Sequence, residues 1–380
     1  MRQGRHLAIP ESRRDLLGLW ETARRLTPAT CPKWLAAEDA ESYRLVASLS
    51  LAGLSTAERA AAEREFEAAE LGRLVVDEDG PSSPDARRVY VARPHPQAVW
   101  SIGIRMGGSP WSLDAAAGAE PVLTADAVTD AAATSVADPF LFRADGRWQM
   151  FFEVDNWRSW KGEIGLATSA DGLAWRYEAI VLAEPFHLSY PQVFAADDGI
   201  YMVPESSQAQ AVRLYRARRF PWEWEHVGDL LRGLPFADSS LLWHGDRWWL
   251  FTETSGGSDD TLRLYSAPTL AGPWAEHPAS PIIRGDASLA RPAGRIVAAD
   301  GRLVRFAQNC RPAYGTDVRP LEILTLTPDS YAERPLGAGP ILGPGAGWNT
   351  GGMHHVDAAC LGPGRWLAAV DGWRMEDVPA

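Results

Sequence analysis

Short apolar runs broken by turn residues recur along the chain from residue 137 onward. Five such runs start roughly 50 residues apart, with a longer last interval, at 137–142, 189–194, 238–243, 291–296 and 354–359. After each one, an Asp-Gly, Gly-Asp or Pro-Gly turn of the kind found in hairpins leads into a second apolar run, and in four cases a third run follows. A strand unit repeated at this period is typical of a propeller. The pattern therefore predicts an all-β fold, a five-bladed β-propeller.

The fifth repeat lacks its third run. A segment upstream of the first repeat, 99–113, has the third-run pattern and carries Trp111, just as the first three repeats close with Trp175, Trp224 and Trp274. A propeller must close its ring, because an open blade would leave unpaired strand edges. We therefore expect this N-terminal strand to complete the last blade, and the closing tryptophans to lie in the core between blades.

Residues 1–96 show a different pattern and are expected to form a small helical extension with a linker, separate from a propeller domain at 97–380. Apolar residues recur at helical spacing over 11–26. Ser-Thr-Ala-Glu has the form of a capping box and opens a second predicted helix over 55–70. The stretch 77–88 is polar and contains prolines, which favours a linker.

Composition narrows the possible functions. The 380 residues include 37 Lys and Arg against 49 Asp and Glu, a net charge of −12 without a basic run, which argues against a nucleic-acid partner. We expect no membrane span, because no apolar stretch is long enough, and no signal peptide. The three cysteines are widely spaced and match neither a disulfide framework nor a zinc site. A cytoplasmic protein without a cofactor is therefore expected.

Polar side chains recur at one end of the predicted inner strands. Because the strands of a blade are antiparallel, the start of a first run and the end of the second lie at the same end of the blade. Asp138 and Asp238 start first runs, and Glu205 ends a second run. Glycosidic chemistry needs two carboxyl groups, one protonated and one ionised. We therefore expect these three residues to be catalytic, with Asp138 as base and Glu205 or Asp238 as acid.

Other residues near the same end are predicted to bind the substrate. Arg291, Arg295 and Lys161 could hold a phosphate or carboxylate, or could form salt bridges with the ring of carboxylates. Trp157, in the loop after the second run of the first blade, is expected to stack on a sugar. The full set of predicted substrate-binding residues is Glu153, Trp157, Lys161, His187, Tyr190, Arg291, Arg295, His354, His355 and Asp357.

Two further interpretations concern metals and stability. His354 and His355 are neighbours on a strand and point to opposite faces, so only His355 and Asp357 share a face. Two ligands do not make a site, and no metal is expected. Some acidic residues could instead cap turns or bind backbone groups of the blades. This alternative applies most to Glu253 and Asp371.

Seven motifs follow one another in the order ADPFLF, KGEIGLATSADGLAW, EPFHLSYP, PES, DSSLLW, RPAGRI and GMHHVDA. Together they resemble the N-terminal propeller domain of plant glucosamine inositolphosphorylceramide transferase and its bacterial relatives, over roughly residues 97–373. That domain is similar to the five-bladed propellers of glycoside hydrolase family 43. In the plant protein a separate glycosyltransferase domain follows the propeller. The resemblance implies a separate glycosyltransferase as a partner, and no such domain is expected within this chain.

Family 43 enzymes carry three carboxylates at the inner-strand starts of their first three blades: a base, an Asp that tunes pKa values and a Glu acid. The resemblance implies that Asp138, in a matching Ala-Asp-Pro, takes the first position, and that Asp238 takes the third in place of Glu. The second blade offers Tyr190, with Glu205 on the neighbouring strand.

Two hypotheses follow for the function. One is a carbohydrate-active enzyme, hydrolase or transferase, acting on a glycan or glycoconjugate in the central funnel. The other is a non-catalytic glycan-binding or scaffold propeller that serves a separate glycosyltransferase.

Overall fold

The computed structural model describes the propeller and parts of the region before it. The described residues are 5–7, 43–50, 56, 74–76, 86–92, 96–114, 120–156, 159, 161–196 and 198–377. The chain divides into two compact units, one formed by Met1–Gln97 with Glu376–Ala380 and the other by Ala98–Met375. Across the described ranges, no helix has the length and apolar character needed to cross a membrane.

The first unit contains an antiparallel sheet that the sequence analysis did not predict. Its strands pair in the order β1-β3-β4-β2, and they are β1 (Arg5–Leu7), β2 (Tyr43–Ser50), β3 (Leu74–Val76) and β4 (Ala86–Ala92). The predicted linker, 77–88, extends too far, because strand β4 begins at Ala86. Apart from residue 56, the helices predicted over 11–26 and 55–70 fall outside the described residues.

Five antiparallel sheets in the second unit are the blades, which confirms the predicted propeller. The chain enters through β5 (Pro96–Ser109) and β6 (Ser112–Asp114). Blade 1 comprises β7 (Ala133–Ala144), β8 (Arg147–Asn156), β9 (Lys161–Ser169) and β10 (Arg176–Leu182). Blade 2 comprises β11 (Ser189–Ala196), β12 (Gly199–Glu205), β13 (Ala211–Arg219) and β14 (Glu223–Arg232).

The remaining blades follow the same plan, with the first strand of each on the inside. Blade 3 comprises β15 (Ala237–His244), β16 (Arg247–Glu253), β17 (Thr261–Ala267), β18 (Ala275–Glu276) and β19 (Ile283–Arg284). Blade 4 comprises β20 (Val297–Ala299), β21 (Arg302–Asn309), β22 (Asp317–Thr327) and β23 (Ser330–Pro335). The last two strands are β24 (Val356–Gly362) and β25 (Arg365–Asp377). Two short 3-10 helices, Ala125–Ala127 and Ser207–Ala209, lie in connections.

The N-terminal strand closes the ring as predicted. Blade 5 pairs in the order β24-β25-β5-β6, so β5 supplies the third strand that the last repeat lacks. Ile102 and Ile104 of β5 are buried. The backbone of Ile102 also exchanges hydrogen bonds with Leu123, in the connection to blade 1. Burial and pairing together hold this latch strand in place.

The core is a ring of apolar clusters between neighbouring blades. One cluster joins Phe151 of blade 1 to Met202 of blade 2, and the next joins Phe194 of blade 2 to Leu250 of blade 3. Because each blade buries one face against each neighbour, the inner strands are held at fixed positions around the axis. The tryptophans that close the third runs pack against these clusters, as predicted: Trp111, Trp175, Trp224 and Trp274.

Candidate functional site

In blades 1 to 3, the inner strand contains the same irregularity. Asp138, Tyr190 and Asp238 adopt left-handed backbone conformations, with φ of 53°, 46° and 47°. Each lies in a two-residue bulge, where the pairing of the inner strand with the next strand is interrupted. A left-handed residue other than glycine costs about 1 kcal/mol or more, and bulges re-aim side chains next to functional sites. We call this end of the inner strands the mouth, defined by Asp138, Tyr190, Asp238, Arg291 and His354.

The second strand of each of these blades carries a glutamate beside the irregularity. Glu153, Glu205 and Glu253 each pair with the residue immediately before the left-handed one. The antiparallel register thus places a carboxyl group beside each bulge. Their surroundings differ, however. Oε1 of Glu253 accepts the backbone N–H groups of Ser255 at 2.6 Å and Thr261 at 3.4 Å, which favours the structural alternative for this residue.

Asp238 and Glu205 share one guanidinium. Asp238 is 1% exposed, and its Oδ2 accepts from Nε of Arg291 at 2.6 Å and from Nε2 of Gln308 at 2.9 Å. The same Arg291 lies 3.5 Å from Oε2 of Glu205 and 2.7 Å from Oδ1 of Asp259. This network places two carboxyl groups and one cation at the mouth with little access to water.

The same network separates the pKa values of Asp238 and Glu205. Burial raises the pKa of Asp238 well above its usual value, and the neighbouring Glu205 adds to the effect. Burial acts in the same direction on Glu205 and is the largest single influence, but the charges of Arg291 and His187 and the hydrogen bonds to the carboxylate together outweigh it, and the pKa of Glu205 is lowered. The pKa values of these two neighbouring carboxyl groups are therefore shifted in opposite directions, so Asp238 is protonated more readily than Glu205.

Asp138 has one carboxyl oxygen without a partner. Its backbone N–H donates to Oδ2 of Asp371 at 2.9 Å, and its Oδ2 accepts from the N–H of Tyr190 at 3.2 Å. Oδ1 is buried and has no hydrogen-bond partner among the described residues; Nδ1 of His355 and Nε2 of His354 lie 3.5 and 3.7 Å away. Burial raises the pKa of Asp138 well above its usual value. An unpartnered buried oxygen is a point at which a ligand hydroxyl or a water binds.

Asp371 fixes the ring of His354. Oδ1 of Asp371 accepts the backbone N–H groups of His354 and His355 at 3.2 and 3.0 Å, and it lies 2.7 Å from Nδ1 of His354. Although burial opposes both shifts, the His354 charge lowers the pKa of Asp371, and the charges of Asp371 and Asp138 raise the pKa of His354. Nδ1–H of His354 therefore donates to Asp371, and Nε2 faces Asp138.

These residues also meet the distance requirement for a metal ion, because ligand atoms of Asp138, His354 and Asp371 lie within 4.8 Å of one another. Both oxygens of Asp371 already accept N–H donors. The group therefore serves as a hydrogen-bonded triad in this conformation. That no metal takes part in the function stays a prediction.

Four predicted substrate-binding residues are enclosed among the inner strands. The hydroxyl of Tyr190 lies 2.8 Å from Oγ of Ser240 and donates to the carbonyl of Gly294 at 3.0 Å. Tyr190 and His355 are both fully buried, and burial lowers the pKa of His355 to about 3, so that its ring is neutral. These contacts favour a structural role, in which blade 2 is tied across the axis to blades 3 and 4.

Arg295 and Asp357 form the other part of this internal network. Nε of Arg295 donates to Oδ1 of Asp357 at 2.9 Å, and Oδ2 of Asp357 accepts the N–H of Leu141 at 2.7 Å. A second nitrogen of Arg295 donates to the carbonyl of Val193 at 3.0 Å. The pair thus connects blades 1, 2, 4 and 5, as the salt-bridge alternative for Arg295 requires.

The accessible edge of the mouth is formed by Glu153 and His187. Nδ1 of His187 accepts the backbone N–H of Gly162 at 2.8 Å, which leaves the proton on Nε2, 3.2 Å from Oε1 of Glu153. Burial raises the pKa of Glu153 well above its usual value, and the charge of Asp138 adds to it. Lys161 lies nearby, with Nζ 3.4 Å from Oε1 of Glu163. Trp157 falls outside the described residues.

The sequence of the chain matches that of a known family. The sequence model described as glucosamine inositolphosphorylceramide transferase 1, N-terminal, matches residues 92–373. The chain belongs to this family. Among curated relatives, glucosamine inositolphosphorylceramide transferase 1 of Oryza sativa subsp. japonica is 38% identical over 316 residues, 77% of this chain and 42% of the relative. The protein of the same name from Arabidopsis thaliana is 33% identical over 307 residues, 73% of this chain and 39% of the relative. The chain thus spans about two-fifths of the length of these relatives.

The solved structures to which this chain is similar include glycosidases. Zg3597, a family 117 glycoside hydrolase from Zobellia galactanivorans, has a TM-score of 0.43 at 14% identity, covering 63% of this chain and 84% of that protein. The β-xylosidase RS223 has a TM-score of 0.46 at 14% identity, covering 58% and 79%.

Three residues near the mouth of this chain were not predicted from the strand pattern. Asp259, bound to Arg291, lies in the Gly-rich loop between the second and third strands of blade 3. Tyr314 lies in the corresponding loop of blade 4, and its ring is 5.1 Å from the Arg291 guanidinium. Trp100 lies on the latch strand and stacks on His354 at 4.0 Å. Loops carry no periodic signal, and the latch was interpreted only as a structural element.

Proposed function

We propose that the mouth binds a glycan or glycoconjugate and that its carboxyl groups act on a glycosidic bond, by hydrolysis or by transfer. The observation that carries this proposal is the opposite shift of neighbouring carboxyl pKa values, lowered at Glu205 and raised at Asp138 and Asp238. Glycosidic chemistry requires one ionised and one protonated carboxyl group on either side of the bond. Membership of a family whose named relatives are glucosamine inositolphosphorylceramide transferases supports the same class of ligand.

The pKa shifts favour roles that differ from the sequence expectation of Asp138 as base. Glu205, kept ionised by Arg291, is proposed as the base or nucleophile. Asp138, with a raised pKa and a free Oδ1, is proposed as the acid that protonates the leaving oxygen. Asp238, whose pKa is raised, is proposed to orient Glu205 through the Arg291 guanidinium that both carboxyl groups contact.

The name of the relatives also suggests which glycans to test first. We propose an amino sugar or a phosphorylated inositol headgroup as the ligand, with a separate glycosyltransferase as a partner. In the scaffold alternative, the mouth binds the glycan without reacting with it and presents it to that transferase. Binding and turnover must therefore be measured separately.

The test compares the wild type with Asp138→Asn and Glu205→Gln. Turnover is measured on a panel of aryl glycosides and nucleotide sugars, and binding of free hexosamines and inositol phosphate is measured by saturation-transfer NMR. We expect binding and turnover in the wild type, and a loss of turnover of about 10²-fold or more in each variant, the range for a lost acid or base. Glu223→Gln, on the exposed outer strand β14, is the control.

Three results bear on the proposal differently. Turnover that survives in both variants contradicts the catalytic roles. Binding without any turnover in the wild type replaces the enzyme by the scaffold alternative. Absence of binding by every sugar and headgroup overturns the proposed function as a whole.

A further inference from the structure

Tyr314 differs from the other residues of the mouth in being open to solvent. Its exposed fraction is 41%, whereas Asp138, Asp238 and His354 are at most 4% exposed. Its ring lies 5.1 Å from the Arg291 guanidinium and 5.3 Å from the His354 ring. A ligand that approaches the buried carboxyl groups therefore meets an aromatic ring at their edge.

The loop that carries Tyr314 is held in place by contacts of Gly315 with two tryptophans. Gly315, next in the chain, has φ of 68°, and a Cβ at this position would be 2.4 Å from the Trp100 ring. Its carbonyl accepts Nε1–H of Trp373 at 3.0 Å. Only glycine permits both the left-handed backbone and this close approach. Tyr314 is thus exposed on a rigid support, and exposure does not arise from a loose loop.

The support depends on closure of the ring. Trp100 belongs to the latch strand β5, and its backbone N–H donates to Oγ of Ser135 on blade 1 at 3.1 Å. Its ring stacks on His354 at 4.0 Å with an interplanar angle of 29°. The latch strand therefore brings to the mouth a side chain that contacts both the Tyr314 loop and the His354–Asp371 pair.

We propose that Tyr314 is a stacking surface for a sugar ring at the mouth, and that Trp100 is the residue that positions it. This inference rests on the proposed function and adds to it the orientation of the ligand. A sugar ring has an apolar C–H face and polar hydroxyl edges. The aromatic ring accepts the C–H face, while the carboxyl groups of Asp138 and Glu205 accept the hydroxyls, a combination typical of small-molecule sites with few polar groups.

The experiment uses the full chain and methyl glycosides of hexoses and hexosamines as probes. Binding is measured by calorimetry, and saturation-transfer NMR with irradiation of aromatic protons identifies the sugar protons that contact a ring. In the wild type we expect the transfer to favour C–H protons of one sugar face. Tyr314→Ala should abolish this transfer and weaken binding about tenfold, the equivalent of 1.4 kcal/mol. Tyr314→Phe should retain both.

The control variant is Trp243→Ala. Trp243 is 50% exposed but lies at the opposite end of the blade 3 inner strand from Asp238. Its removal should leave affinity within about twofold of the wild type, as for other surface changes. Equal affinity of Tyr314→Ala and the wild type would overturn the inference and leave the proposed function standing. Equal loss in Tyr314→Phe and Tyr314→Ala would assign the contact to the hydroxyl and overturn stacking.

The positioning role of Trp100 is tested with the same probes. Trp100→Leu should weaken binding and the aromatic transfer, and Trp100→Phe should restore most of both. Ile102→Val, on the same strand and fully buried, is the control that lowers stability without touching the mouth. If Ile102→Val weakens binding as much as Trp100→Leu does, Trp100 is only a core residue. If no probe binds to the wild type, the proposed function fails, and the inference fails with it.

Discussion

Blades 1 to 3 and blades 4 and 5 bring opposite charges to the mouth. Each of the first three blades contributes a left-handed residue in a bulge of the inner strand and a glutamate beside it on the second strand. At the paired places, blade 4 has Arg291 and Gln308, and blade 5 has His354 and Asp371. Arg291 lowers one carboxyl pKa, and the His354–Asp371 pair lies against Asp138. The comparison shows that Arg291 and the His354–Asp371 pair, from blades 4 and 5, modify the carboxyl groups that blades 1 to 3 bury at the mouth.

Within the acidic blades, the same position has acquired different roles. Glu205 and Glu253 both end a second strand, but Glu205 faces Arg291 whereas Glu253 accepts backbone N–H groups of its own loop. Ser255 lies in the loop after β16, and Thr261 is the first residue of β17. Strand register alone therefore does not make a carboxyl part of the site.

The largest loss of stability is expected for Asp371→Ala, in blade 5. This change removes the acceptor of three backbone N–H groups and leaves the His354 ring without its buried partner. Breaking a buried pair in this way costs about 3–5 kcal/mol. Urea unfolding should show a loss of this size. Glu223→Ala, on the exposed strand β14, is the control, and a loss for Asp371→Ala no larger than that of the control would contradict the account.

A smaller loss is expected when Arg291 is replaced by Gln. The change leaves Asp238 and Glu205 adjacent without their cation, and hydrogen bonds to charged groups are worth about 1.5–3 kcal/mol. Adding Asp238→Asn removes one of the two acidic groups and should restore part of the stability. A double-mutant cycle from chemical denaturation measures the coupling, about 1–3 kcal/mol if the comparison holds. Strict additivity of the two changes would contradict it.

The pH dependence of stability distinguishes Asp138 from an ordinary surface carboxylate. Its pKa in the folded protein is raised well above the usual value of 3.8, so the folded state binds more protons than the unfolded state as pH rises past 3.8. The contribution of Asp138 to stability is therefore present at low pH and is lost as pH rises through the folded pKa. Asp138→Asn should remove this loss, so that the variant equals or exceeds the wild type at neutral pH.

Denaturation at several pH values checks this prediction, with Glu223→Gln as the control for a general charge effect. A variant that is less stable than the wild type at neutral pH, with an unchanged pH slope, would identify Asp138 as a structural tie.

The smallest effect is expected for Glu253→Gln. The amide keeps an oxygen that can accept from Ser255 and Thr261 but loses the charge, at a cost of about 1 kcal/mol. Ligand binding should not change, in contrast to Glu205→Gln. Thermal unfolding and the sugar-binding assay are run on both variants. An equal loss of binding in Glu253→Gln and Glu205→Gln would contradict the difference between these two positions.

Much of the fold could be predicted from the sequence because it depends on short-range pattern. The runs, their turns and the tryptophans that close them recur at a regular period, and the missing third run pointed directly to 99–113 as the latch. The sheet of β1 to β4 was missed because β1 and β3 have only three residues each and because β2 pairs with a strand more than 30 residues away. The cytoplasmic location and the division at residue 97 stay predictions.

The site was harder to predict because its contacts join distant parts of the chain. Tyr190 starts its inner strand just as Asp138 and Asp238 do, yet its hydroxyl binds Ser240 and Gly294, which lie 50 and 104 residues further on. Which of three equivalent side chains faces the mouth depends on the residue across the axis. The strand register determines which residues lie at the mouth end of the inner strands. Tertiary contacts determine whether each of them takes part in the site or in the core.

One titration tests the central claim, that the carboxyl groups of blades 1 to 3 form a sugar-binding mouth. Carboxyl carbons of Asp and Glu are labelled with carbon-13, assigned with the single variants described above, and followed by NMR while a methyl glycoside is added. The account predicts that the signals of Asp138 and Glu205 shift with a single binding curve and that Glu253 does not move. Saturable binding that leaves Asp138 and Glu205 unchanged would contradict it, as would an absence of binding by every glycoside tested.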